Sequence, residues 1–359
     1  MPELAPTNTY IPSTVGLGGV RTSASQLRRY TTCPQEYFLH DLAPHPDTPN
    51  SSGLLTRTTA DGLMVGGDFH HGMHAYFLSG VRDGEDTGER DIMRALDHLE
   101  VEHRKRAHEA ETPEQAQQNL DVAKAVLMKF DELLLKGQYA SRRVVCDDEG
   151  EPVLEREFLL PIGSEGRFIY SDKVDAILLN DEGYHEVGEW KTTTYRFANQ
   201  KLESLSMDGQ TYGHMAVLQG CCPDTPINGV FVMVFVKDRG KKSDLPHIYE
   251  RTLVIPPENV EQYIWHVEMW VEEMTERAER WQDAVTAGTD PYYAGLTQFP
   301  MNGLLNGMCQ RFGRRCDYAS YCEAHGLGAR ALRGYRPRLV GGEVYEMPKD
   351  EIKSEGDFL

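Results

Sequence analysis

Asp172-Lys173-Val174-Asp175 and Glu189-Trp190-Lys191-Thr192 carry residue types that metal-assisted hydrolysis needs. Both stretches read as strands, and Asp181-Glu182-Gly183 between them is a turn signal, so a hairpin brings Asp175 beside Glu189. Glu189 and Lys191 stand two residues apart and face the same side of their strand. Two converging carboxylates with an ammonium next to them suit a hard divalent cation such as magnesium or manganese. A cation there can activate water and neutralise charge on a phosphodiester. Lys191 can orient the water or stabilise the developing anion. An exposed Glu–Lys ladder is the commoner origin of acid-x-Lys on a strand, so the company these residues keep decides their meaning.

That company includes histidines and cysteines. His70, His71 and His74 fall in one helical stretch, and His70 and His74 share a face one turn apart. Such histidines usually belong to a helix surface or a core, yet an imidazole beside two carboxylates also suits magnesium or manganese. Gly66-x3-His70 and Gly67-x3-His71 have the same spacing. Glu157 is a further acidic candidate, or, two residues from Glu155, part of an exposed ladder. Near the end, Cys309-x6-Cys316-x5-Cys322 crowds three thiols into an arginine-rich segment. The first 19 residues lack a basic-plus-apolar leader pattern, so export is not expected and the chain is placed in the cytoplasm. In a reducing compartment such thiols point to a metal or iron–sulfur centre before disulfides. Cys146, Cys221 and Cys222 read as structural.

The elements that must position these groups follow from periodicity. Residues 1–20 read as a flexible arm, and a capped helix follows from Ser23 or Ser25, bending or restarting at Pro34. Residues 44–62 read as a loop, and a helix is expected from Asp68 to Leu78 after Gly66-Gly67. Residues 88–136 read as a solvated helical hairpin inserted against the main domain. Val153–Leu160, Arg167–Leu179, Tyr184–Thr192, Val230–Lys237 and Ile248–Ile255 are strand-like. Helices are expected over 203–219 and 257–285, and 339–359 reads as an acidic tail. The pattern indicates an α/β domain over 21–338 with a mixed central sheet, helical insertions and a cysteine-clustered C-terminal segment.

An Asp followed across a hairpin by Glu-x-Lys resembles the signature of the PD-(D/E)XK nuclease superfamily, whose core is restriction-endonuclease-like. The resemblance runs in order over residues 23–322. Gly66-x3-His70-x2-Met73-x2-Tyr76 resembles the Gly-x3-His helix of the RecB-like branch, and flanking Phe69 and Met73 favour His70 over His71. Gln210 resembles the first residue of that branch's Gln-x3-Tyr motif, although His214 stands at the Tyr position. Leu27, Tyr30, Cys33-Pro34 and Tyr37-Phe38 look like its first helix. The resemblance implies metal ligation by His70, Asp175, Glu189 and the Trp190 carbonyl, with Lys191 and Gln210 assisting catalysis. Cys33, Cys309, Cys316 and Cys322 resemble the four thiolates of its iron–sulfur subset, which includes AddB-type and CRISPR adaptation nucleases. In that arrangement a [4Fe–4S] cluster closes 305–325 onto Cys33. The six-residue first gap exceeds the usual two, so structural zinc remains an alternative.

Composition constrains these expectations. The chain has 359 residues, 40% hydrophobic and 26% charged, which excludes wholesale disorder and fibrous repeats. No apolar run reaches membrane-spanning length, so no membrane partner is expected. A net charge of −19 opposes gripping DNA by bulk charge alone. Segments 83–121, 257–285 and 339–359 carry −17 of it, whereas 309–338 carries +5. Arg311, Arg314 and Arg315 in that basic segment, and Lys237 in a second basic loop with Arg239, Lys241 and Lys242, are candidate phosphate contacts. The leading expectation is a magnesium- or manganese-dependent deoxyribonuclease, an exonuclease acting on single strands or duplex ends. The size and the lack of a helicase motif suggest a recombination, repair or phage accessory enzyme, with a protein partner in a recombination or replication complex. A DNA-end-binding or partner-regulatory iron–sulfur protein on the same fold, a redox-responsive iron–sulfur regulator, and a phosphodiesterase for RNA or small nucleotides are the alternatives.

Overall fold

A computed structural model describes residues 20–44, 53–55, 61–137, 142–194, 197–237, 248–303, 307–311, 314–323 and 335–337. The expected N-terminal arm up to residue 19, the acidic tail 339–359 and Arg239, Lys241 and Lys242 lie outside them. In chain order, β1 (Val20–Ser23) leads into α1 (Ala24–Thr32) and α2 (Pro34–Tyr37). Then follow β2 (Leu54–Leu55), α3 (Asp61–Leu78), the short strands β3 (Val81–Arg82) and β4 (Glu85–Asp86), α4 (Ile92–Arg106) and α5 (Pro113–Leu135). The central strands are β5 (Arg143–Val144), β6 (Leu154–Ile162), β7 (Phe168–Leu179) and β8 (His185–Thr193). Next come α6 (Ala198–Ser204), α7 (Gly209–Cys221), β9 (Ile227–Val236), β10 (Ile248–Leu253), α8 (Pro257–Thr286) and α9 (Pro291–Gln298). The chain closes with β11 (Gln310–Arg311), β12 (Arg314–Arg315), α10 (Ala319–Glu323) and β13 (Arg336–Pro337). No helix among the described residues is long and apolar enough to cross a membrane.

The chain divides into two compact units, residues 1–24 with 58–268, and residues 25–57 with 269–359. The first unit holds a seven-stranded mixed sheet flanked by helices, the expected α/β core. β6 runs antiparallel along one edge of β7, from Ile162↔Phe168 to Leu154↔Ala176. On the other edge, β1 pairs in parallel with Phe168–Ser171 and β8 pairs antiparallel with Ala176–Leu179. Asp172–Asp175 therefore have no ladder partner on that edge. Beyond Gly188, β8 leaves β7 and continues in parallel with β9, which pairs antiparallel with β10. The β7–β8 turn is tight because Gly183 adopts φ +85°, a region open to glycine, and its N–H donates to Asn180 O.

Helix α3 starts at Asp61, earlier than Gly66-Gly67 suggested. The glycines are packing residues here: a Cβ at Gly67 would sit 2.4 Å from Arg106 Nη1. One at Gly72 would sit 2.8 Å from Leu99 and Leu127. Close approach of α4 and α5 thus offsets the low helix propensity of glycine. Phe69, Met73, Phe77, Leu99, Leu127, Phe130, Trp190, Phe231, Met233 and Phe235 form the core under α3. The helix expected over 203–219 breaks at Leu205–Met207, and Asp208 restarts it by accepting from Gln210 N.

In the second unit, the chain restarts at Cys33, extended at φ −158°, because Pro34 cannot donate within a continuous helix. Phe38 stacks on Phe299 at 5.2 Å and meets Trp281 edge-on at 5.5 Å. Buried Asp41 takes two hydrogen bonds from Arg29, at 2.8 and 2.9 Å. β2 pairs with β13, and Tyr318 donates to Leu54 O at 2.5 Å.

Candidate metal and hydrolytic site

The stretch of β7 without an edge partner carries the acidic residues. Asp175 uses its side chain where the ladder ends, accepting from Trp190 N at 2.8 Å. On its other side stands α3, whose His70 places Nδ1 3.4 Å from Asp175 Oδ1 and 3.3 Å from Glu155 Oε1. His70 Nε2 lies 2.9 Å from the Trp190 carbonyl. His70, Glu155 and Asp175 offer ligand atoms within 4.8 Å of one another, the only such set among the described residues. One nitrogen, two carboxylates and a carbonyl form a donor set that fits magnesium or manganese.

Glu155 was not singled out in the sequence, which drew attention to Glu157 instead. Glu157 is exposed and pairs with Arg21. Glu155 lies opposite Asp175 in the β6–β7 register, yet its φ of +49° interrupts the pairing there. That left-handed conformation is strained for a non-glycine residue. The irregularity coincides with a change in which face β7 presents. Tyr170 and Asp172 approach Gly213 of α7, whereas Ala176 and Leu178 join the core under α3. Only the chain distance to the Gly163–Arg167 turn, which fixes the register, could have pointed to Glu155.

A second network occupies the α7 side. Glu189 Oε2 lies 2.7 Å from His214 Nε2, and His214 Nδ1 lies 2.9 Å from Asp172 Oδ2. Lys191 pairs with Glu189 Oε1 and donates to Gln210 Oε1 at 3.0 Å. Glu189 Oε1 is buried and makes no hydrogen bond beyond that ion pair. His70 and Asp175 are thus brought together with Glu155, while Glu189 is held by Lys191 and His214. His214, at the tyrosine position of the Gln-x3-Tyr pattern that starts at Gln210, bridges two carboxylates.

Charge balance explains the protonation states. Burial opposes the His70 imidazolium, but Asp175 and Glu155 outweigh it and raise its pKa to about 10. Burial likewise opposes charge on His214, and Asp172 and Glu189 raise it to about 10. Burial works against the Glu155 carboxylate, yet His70 and Lys173 hold it down to about 2. Lys191 is disfavoured by burial but kept charged by Glu189 and Asp175, which raise its pKa.

The four cysteines proposed as ligands, Cys33, Cys309, Cys316 and Cys322, belong to the second unit. Cys33 and Cys309 both flank Gly303, where an added Cβ would lie 3.5 Å from one sulfur and 3.1 Å from the other. Cys316 N donates to Cys309 O at 2.8 Å, and burial, aided by neighbours that include Cys33, pushes its thiol up to about 11. Cys322 lies on α10, its N–H bonded to Tyr318 O. Gly303 therefore leaves space beside sulfurs distant in sequence, and soft thiolate donors suit iron–sulfur or zinc. The backbones of Arg311, Arg314 and Arg315 form the β11–β12 ladder, while their side chains lie outside the described residues. Lys237 donates to Gly62 O at 3.1 Å in the first unit.

No curated protein matches the chain. A solved chain described as "Crystal structure of SSO0001" is 15% identical, with a TM-score of 0.27 and a match covering 58% of this chain and 84% of that one. A family model described as the PD-(D/E)XK nuclease superfamily matches residues 21–323, a span that contains the β7 acids, the β8 Glu-x-Lys and the late cysteines. With that match extending over most of its length, the chain belongs to the PD-(D/E)XK nuclease superfamily.

Proposed function

We propose that the protein is a magnesium- or manganese-dependent deoxyribonuclease that works as an exonuclease on DNA ends or single strands. The observation that carries this reading is the pairing of a His70–Glu155–Asp175 donor set with the Lys191–Gln210 contact where β8 leaves β7. His70, Asp175, Glu155 and the Trp190 carbonyl would hold the cation, and Glu189, now paired with Lys191 and His214, would join them. When bound, the cation supplies charge neutralisation at the scissile phosphate and makes water more acidic.

The remaining steps belong to the chain's own groups. Lys191 keeps its positive charge and offers it to the developing anion, while Gln210 fixes the direction of the ammonium. His214 holds Glu189 in one orientation from the opposite side. Arg311, Arg314, Arg315 and Lys237 are assigned to DNA phosphates. Cys33, Cys309, Cys316 and Cys322 are assigned to a [4Fe–4S] cluster, with structural zinc as the alternative occupant; the approach of the Cys33 and Cys309 sulfurs beside Gly303 supports a shared group. A cytoplasmic role in recombination, repair or phage DNA metabolism, with a protein partner, completes the proposal.

The test is incubation with 5′- and 3′-labelled single- and double-stranded DNA and manganese, beside Lys191→Ala. Metal-dependent shortening from one end that disappears in the variant is expected. Cleavage that persists unchanged in Lys191→Ala removes the proposed site. Iron and sulfide analysis of anaerobically purified protein decides the thiolate assignment, and colourless protein holding zinc favours the alternative.

A further inference from the structure

Helices α3 and α4 present a second group of imidazoles that the hydrolytic site does not use. His71 and His74 stand three residues apart on α3, and His98 and Glu102 stand four apart on α4. Both spacings put each pair on one helix face. The helices lie side by side, with His103 of α4 bonded to Asp68 of α3 at 2.7 Å. His98 is thereby set against both α3 histidines: its ring centroid is 6.4 Å from that of His71 and 6.3 Å from that of His74. Glu102 is close enough to act electrostatically on both His71 and His98. All four side chains are partly exposed.

Among the described residues, none of these three imidazoles makes a hydrogen bond or an ion pair to another protein group, and their ring contacts are with one another. Three neighbouring imidazoles gain nothing by sharing a surface if they carry charge. A transition cation resolves this, because it takes neutral imidazole nitrogens. With zinc–nitrogen bonds of about 2.0–2.1 Å, two rings on one ion have centroids about 5–6 Å apart.

We propose that His71, His74, His98 and Glu102 bind a borderline transition cation of the zinc class across α3 and α4. Three nitrogens and one carboxylate are a tetrahedral zinc set, whereas the oxygen-rich set at Asp175 suits a hard cation. The ring nitrogens are not preassembled, since only the His70 set lies within 4.8 Å. Closure needs rotation of His98 about its side-chain torsions and release of Glu102 from Lys105, an exposed pair of little worth. The bound ion ties α4 to the helix that carries His70, and so restrains that helix from a position outside the hydrolytic site. This inference does not rest on the nuclease reading.

The test is zinc titration of the full-length protein by calorimetry in the Asp175→Ala background, which disables the hard-cation site. Asp175→Ala is expected to bind one zinc equivalent more than Asp175→Ala/His71→Ala/His98→Ala. The triple variant's residual affinity at that site is expected to fall by at least about tenfold. Copper(II) added to Asp175→Ala is expected to give nitrogen superhyperfine splitting in its paramagnetic resonance spectrum, lost in the triple variant. His98→Gln in the same background, at a partly exposed position, is expected to weaken binding without unfolding the protein. Equal zinc stoichiometry and affinity in Asp175→Ala and both histidine variants made on it overturns the proposal, by assigning the zinc elsewhere.

Discussion

Around Asp175 the charged side chains remain in reach of solvent: that of His70 is 26% exposed and that of Glu155 20%. Around Glu189 the carboxylate and its imidazole are sealed, with Glu189 at 1% and His214 at 0%, and Lys191 keeps 19% exposure. Both clusters place an imidazole between two carboxylates, and both imidazoles have pKa values raised to about 10. The chemistry is the same and the exposure differs. An accessible imidazolium can exchange its proton for a cation, whereas a sealed one serves as a fixed counter-charge. On the proposed reading, the first cluster is where a cation exchanges, and the second keeps Glu189 and Lys191 aimed.

The largest effect that probes this contrast is His214→Ala. It strands Asp172 and Glu189 in the interior, and removing one partner of a buried ion pair costs about 3–5 kcal/mol. Urea unfolding measures it, and a loss below about 1 kcal/mol would mean that the network is wet. The pH dependence has a definite sign. The folded pKa of His214 lies above its ordinary 6.5, so its contribution is complete below that value and fades as pH rises through about 10. Unfolding midpoints should thus fall between pH 7 and 10 in the wild type and be flatter in His214→Gln.

Next in size is Lys191→Ala, expected to lower cleavage by about 10²–10³-fold, the cost of one preorganised donor to a developing anion. Its unfolding midpoint should change less than that of His214→Ala. Glu155→Gln comes third. It should weaken manganese binding by about 10–100-fold, and calorimetry reports it directly. In the wild type, manganese binding near pH 7 should release about one proton, displaced from His70. Comparing buffers of different ionisation enthalpy measures that proton, and zero release would place the cation elsewhere. The smallest effect is that of Lys173→Ala. Lys173 pairs with Glu155 at 2.5 Å but is 58% exposed, so the change in stability should stay within about 1 kcal/mol.

Each of these clusters was only partly legible in the sequence. Asp175, Glu189, Lys191 and His70 stood out because residue type and strand or helix spacing are local properties. The strands were equally readable from their β-branched runs, and β7 and β8 begin and end within a residue of their expected limits. Glu155 was hidden because its place depends on a register and on a φ that no propensity encodes. His214 looked like a departure from a motif until packing set Asp172 against it. The early start of α3 was missed for a similar reason: Gly67 reads as a breaker until Arg106 is seen in the space where a Cβ would be. What the chain hides is what only tertiary contact decides.

The left-handed backbone at Glu155 has a consequence for how this protein would drift under selection. Glycine and asparagine tolerate that conformation better than glutamate does, by an amount on the order of 1 kcal/mol. A screen that rewarded heat resistance alone would therefore favour Glu155→Gly or Glu155→Asn. Such winners would be hardier proteins with one carboxylate fewer beside Asp175, so a library sorted for both traits should split at this single position.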